Sequence, residues 1–215
     1  MAVTQEGRGL LTEAGSMGPL TEAAAGLAVI VLAIVGLANV APFDLAAIAT
    51  IIVGAALLLQ VANAANEYVL EASKSSVAAT SAGFGNAMAG GFMAGGVGIV
   101  LGILALLGTG TAQLIAVALI VFGGALLLSA GMTAEMSWAR IGPEADAVHA
   151  MARQAATAAG GAQALIGLAV AILGILALLQ IQVGALILVG FLALGASLLL
   201  TSAAVAGAAM SIVRH

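Results

Sequence analysis

The sequence predicts an all-α integral membrane protein, with six transmembrane helices arranged as three tandem helical hairpins about a pseudo-threefold axis along the membrane normal. Composition is the first ground. Hydrophobic residues make up 63% of the chain and charged residues 7%, with a mean hydropathy of +1.26, whereas soluble domains carry charge on roughly a quarter of their residues. The second ground is segregation of charge: none occurs between Lys74 and Glu135 or between Arg153 and Arg214, and each gap is 60 residues long. A helix needs about 20 apolar residues to cross the hydrocarbon core, so each gap holds two crossings and a tight turn. The third ground is repetition. Gly26 aligns with Gly96 and Gly54 with Gly124 at an offset of 70, and Gly124 aligns with Gly195 at 71. The flanks agree as well: VGAALLLQ at 53–60, GGALLLSA at 123–130 and LGASLLLTS at 194–202, with GILALL at both 102–107 and 174–179 and AIVGLA at 33–38.

The elements follow in order. Residues 1–21 form a cytoplasmic N-terminal segment whose Glu6, Arg8 and Glu13 precede the first span, which is not the pattern of a cleaved signal peptide. The first hairpin occupies 22–65, with spans at 22–40 and 44–65. Its only internal charge between Glu22 and Glu67 is Asp44, at the turn NVAPFD. Pro42 cannot continue the first helix, and Asp44 is placed to cap the second. A cytoplasmic connection at 66–86 leads to the second hairpin at 87–134, with spans at 87–107 and 112–134 separated by GTGTAQ. A longer connection at 135–160 follows, in which Gly142-Pro143-Glu144 signals the start of a short amphipathic helix. The third hairpin and C-terminus fill 161–215, with spans at 161–179 and 183–209 separated by QIQ. Strands do not compete, because the apolar runs are long and lack alternation of period two.

All five Lys and Arg (Arg8, Lys74, Arg140, Arg153 and Arg214) fall in the termini and the two long connections. The positive-inside rule therefore puts both termini in the cytoplasm, and the expected location is the plasma (inner) membrane. The lipid bilayer is the expected partner. Trp138 and Tyr68, past the ends of even-numbered spans, are what remains of an aromatic belt.

The spans offer packing devices rather than chemistry. Gly91, Gly95, Gly98 and Gly102 form two GxxxG spacings in the third span, and Gly167 and Gly174 lie seven apart in the fifth. Lipid provides no hydrophobic drive for helix association, so small faces that admit close backbone contact supply it. A dinucleotide fingerprint or phosphate loop is excluded, since no strand precedes these glycines and no Lys follows. Mid-span ionisable groups, which coupled carriers require, are missing from the sequence. Gln60 and Asn63, near the cytoplasmic end of the second span, read as helix-end or interhelical hydrogen-bonding groups, with a ligand role as the alternative. Asp146, His149 and Arg153 share one helical face in the second connection. They read as a solvated charged face, with a pH-responsive Asp146–His149 pair as the sharper alternative.

The stretch IVGLANVAPF at 34–43, followed by LAAIATIIVGAALLL at 45–59, resembles the hairpin of the HdeD-type membrane proteins, which are also short hydrophobic repeats giving six helices. Over the rest of the chain the resemblance is one of architecture. It implies a role in acid or envelope stress resistance without catalysis. Two alternatives stand beside it: a structural subunit of a homo-oligomer or larger membrane complex, packed through a Gly/Ala-rich outer face, and a small-solute channel or transporter with a polar path along the pseudo-axis. No enzyme activity, cofactor, metal or nucleic-acid partner is expected. Two histidines, nine carboxylates and no cysteine assemble no nucleophile–base pair or metal cluster.

Overall fold

The computed structural model describes the backbone of residues 3–72, 81–139 and 147–213, and the side chains of 20–63, 89–130 and 160–203. The described residues form six helices joined in pairs by short turns: α1 (Val3–Leu37), α2 (Pro42–Ala72), α3 (Ser81–Leu106), α4 (Thr111–Ala139), α5 (Ala147–Leu178) and α6 (Val183–Val213). All six contain a stretch long and apolar enough to cross a membrane: Leu20–Leu37, Pro42–Asn63, Ala89–Leu106, Thr111–Ala130, Gly160–Leu178 and Val183–Ala203. The helices run past these stretches, because backbone hydrogen bonding does not stop where hydropathy falls. α1 extends back through most of the segment expected to precede the first span. The stretch expected as a short separate helix before residue 160 is instead, from Ala147 on, the start of α5 itself.

Three four-residue turns join the helices in pairs and share one geometry. The residues Asn39, Gly108 and Gln180 have φ of 65°, 80° and 63°, and two residues on Ala41, Gly110 and Gln182 have φ of 42°, 62° and 43°. The first residue of each set donates its N–H to the carbonyl three residues back, at Gly36, Ala105 and Ala177, so a left-handed residue ends each incoming helix. Pro42 opens α2 rather than merely stopping α1, since its fixed φ and missing N–H suit a first helical position. Asp44 therefore lies in the first turn of α2 and is not its cap; its charge there is favoured by the helix dipole.

Each helix packs on its neighbours in the chain, α6 returns to α1, and α2, α4 and α6 also touch one another at the centre. The inner helices supply the largest fully buried side chains: Phe122, Phe191, Ile115, Leu119, Ile187 and Val53. The outer helices α1, α3 and α5 turn Leu27, Ile34, Phe92, Val100, Leu165 and Ile172 outward, where a bilayer solvates them.

Three seams hold this arrangement, and in each two glycines meet backbone to backbone. A Cβ on Gly54 would lie 2.7 Å from the Gly95 carbonyl oxygen, and one on Gly95 would lie 2.7 Å from that of Gly54. The same reciprocal approach joins Gly123 to Gly167 at 2.6 and 2.8 Å and Gly26 to Gly195 at 2.9 and 2.8 Å. The seams thus run α2 to α3, α4 to α5 and α6 to α1, between hairpins rather than within them. The matching glycines are Gly26, Gly95 and Gly167, and Gly54, Gly123 and Gly195, at offsets of 69 and 72. The alignment through Gly96 and Gly124 is one residue out of register, for both have open space where a Cβ would stand.

Other glycines make room for specific side chains. A Cβ at Gly102 would meet Ile51 at 2.6 Å, and one at Gly174 would meet Ile120 at 2.8 Å. Gly91 faces Val61 at 2.6 Å. Gly98 differs from the seam glycines: the Phe122 ring fills the place where its Cβ would be, while the matching places in α1 and α5 hold the fully buried Val29 and Val170. Likewise Gly36 admits Leu188 at 2.7 Å, where α3 and α5 carry the buried Ala105 and Ala177.

Adjacent glycines give a controlled test. Gly95→Ala and Gly123→Ala each drive a methyl group against a backbone oxygen and should lower stability by about 1–3 kcal/mol. Gly96→Ala and Gly124→Ala should leave it unchanged or raise it, since Ala is the better helix former. Unfolding by a denaturing detergent from mild-detergent micelles measures all four. Equal losses at neighbouring positions would contradict the seam geometry.

Candidate functional site

The described interior is mainly apolar, with Thr50, Ser197 and Ser202 as its buried polar residues. Thr50, the buried hydroxyl among its large neighbours, donates to Ala46 O of its own helix at 2.7 Å. Ser129 donates to Ala125 O at 2.6 Å, Thr201 to Ser197 O at 3.0 Å and Ser202 to Leu199 O at 2.9 Å. Such back-bonding takes up the hydroxyl proton within the helix. Among the described residues no buried side-chain nitrogen or oxygen lacks a partner, and no three His, Cys, Asp or Glu come together as metal ligands.

The polar exception lies between α1 and α2 at the end remote from the turn. Gln60 Nε2 donates to Glu22 Oε1 across the two helices, and both residues are half-buried. Beside them is a small recess of about 10 Å³, lined by Thr21, Glu22, Ala56, Leu59, Gln60 and Asn63. A space of that size admits about one water molecule. Ala56, Leu59, Gln60 and Asn63 share a wall because they are spaced i, i+3, i+4 and i+7 along one face of α2. Thr21 and Asn63 are exposed and form its rim.

Of the polar residues singled out by sequence, the fold thus brings Gln60 and Asn63 to one place and adds Glu22, which had served only to mark the edge of a span. A signal for this partner exists. Glu22 lies 17 residues before Asn39 and Gln60 lies 18 after Pro42, so at 1.5 Å per residue both sit about 26 Å from the turn. Asp146 falls outside the described residues. His149 lies near the start of α5, and its side chain is likewise outside the described set.

No protein-family model matches the chain, and no curated protein or solved structure matches it. The arrangement itself can accept hydrogen bonds and hold one small polar or charged species at the edge of the bundle.

Removing the amide isolates the carboxylate. Gln60→Leu should cost about 1 kcal/mol, because a half-buried carboxylate then loses a hydrogen-bond donor. Adding Glu22→Leu should recover most of that loss. A double-mutant cycle on detergent stability measures the coupling, and additive losses would mean that the two side chains do not interact.

Proposed function

We propose that this multi-pass membrane protein is a non-catalytic, non-conducting component of acid or envelope stress resistance. The observation that carries the non-conducting part is the filled centre: Phe122, Phe191, Ile115, Leu119 and Ile187 on the inner helices are fully buried. A channel or carrier along that axis needs a polar path, whereas the hydroxyls of Thr50, Thr201 and Ser202 are bonded to their own helices. The stress role rests on the resemblance of residues 34–43 and 45–59 to the HdeD-type hairpin.

The three hairpins are related by a pseudo-threefold axis along the membrane normal, and both termini lie in the cytoplasm of a cell with the protein in its plasma (inner) membrane. Recurrence of turn φ values, end-of-helix hydrogen bonds and seam glycines at offsets of 69 and 72 supports the axis. The location of all five basic residues supports the orientation. A structural subunit packed through small outer faces is the weaker reading, because the seam glycines are already used between helices of one chain.

Purified protein in liposomes should leave proton, small-ion and neutral-solute permeability at the level of empty vesicles, while cells lacking it should survive acid or envelope stress less well than the parent. A saturable flux would overturn the non-conducting reading, and unchanged survival would overturn the stress role. Orientation has its own test. Single cysteines replacing Ser75 and Ala147 should react with an impermeant reagent only from the cytoplasmic side, and one replacing Thr109 only from outside. Labelling of Ser75 and Ala147 from opposite sides would defeat the six-span arrangement.

A further inference from the structure

The first hairpin departs from the other two at the level of Glu22 and Gln60. At the matching offsets α3 and α4 have Gly91 and Ser129, and α5 and α6 have Gln163 and Thr201. The two hydroxyls there bond back to carbonyls of their own helices. The fold therefore completes this level twice without a carboxylate, and packing does not require one at Glu22. A half-buried carboxylate at the end of a membrane span is unfavourable unless it takes up a proton or a cation neutralises its charge. Gln60 gives Glu22 a hydrogen bond but no positive charge, and no Lys or Arg lies among the residues whose side chains are described.

What adjoins the carboxylate is a recess that admits about one water-sized body. Its polar lining comes from Thr21, Glu22, Gln60 and Asn63: a carboxylate, two side-chain amides and a hydroxyl. Their oxygens are hard donors of the kind that replace the hydration shell of a hard cation. The carboxylate has more acceptor sites than the single Gln60 bond uses. One carboxylate is balanced by one positive charge, whereas a divalent ion would leave a charge that the uncharged remainder of the lining does not match.

We infer that the recess between α1 and α2 binds a single monovalent inorganic cation, coordinated by Glu22 with help from Gln60, Asn63 and Thr21. The ion ties the two helices of the first hairpin together at the end that the turn does not reach. It has no path onward through the filled centre, so binding is separate from conduction and stands or falls independently of it.

The test is thermal unfolding of the full chain in detergent, in sodium, potassium or ammonium chloride, each titrated against choline chloride at constant ionic strength. Choline is too bulky for a water-sized recess and serves as the inert reference. At least one of the three cations should raise the melting temperature and saturate, as ligand binding to the folded state requires. Glu22→Gln should melt in choline no lower than the parent, because it carries no unbalanced charge there, and should lose the cation-dependent rise. Coincident melting of the parent in all four salts overturns the inference, as does a rise that persists in Glu22→Gln. Should Glu22→Gln fail to fold, Asn63→Leu on the exposed rim decides: a half-saturating concentration raised about tenfold supports the site, and an unchanged one overturns it.

Discussion

The close approach of two helix backbones at paired glycines is the interaction on which the rest of this structure depends. In water, apolar helices associate because association removes their surface from solvent. In a bilayer that drive is gone, and what remains is dispersion, hydrogen bonding and the quality of fit. A glycine facing a glycine lets two backbones approach more closely than any side chain would allow, so that dispersion between them is gained along the seam. Gly54 with Gly95, Gly123 with Gly167 and Gly26 with Gly195 form three such contacts. Because each seam joins one hairpin to the next, and the last returns to α1, the glycine pairs close the ring as well as packing it.

With helix spacing set at the seams, the interior is filled by compensating side-chain sizes. Where one helix carries Gly98 in place of Val29 or Val170, the facing helix carries Phe122, whose ring takes up the space. Where α1 carries Gly36 in place of Ala105 or Ala177, α6 supplies Leu188. Dense interiors tolerate such exchanges when total volume is kept. Each exchange is therefore a redistribution of volume between facing helices. Among the described residues the centre is lined mainly by apolar side chains, and Thr50 spends its hydroxyl on Ala46.

Against this background Glu22 stands out by its chemistry. The other hairpins have Gly91 and Gln163 at its level, and their hydroxyls on the facing helices are turned inward to their own backbones. A side chain that packing does not need, at a depth where charge is disfavoured, points to a role in binding. Its neighbours Gln60 and Asn63 give that role a location at one edge of the bundle, away from the filled core.

The sequence by itself determined the six crossings, because hydrocarbon thickness sets a minimum apolar length and charges cannot interrupt it; the described spans from Leu20 to Ala203 fall where composition puts them. It also determined the turns, since Pro42, Gly108 and the glutamines around Ile181 mark where helices stop. Only the tertiary structure decided which glycines meet. Gly95 and Gly96, or Gly123 and Gly124, are equivalent in a string of letters, yet neighbouring residues point about 100° apart around a helix, so one enters a seam and the next meets open space. The partner of Gln60 was likewise hidden, because 38 residues separate it from Glu22. A hairpin brings such residues to one depth, but only the rotation of both helices about their axes turns the amide toward the carboxylate.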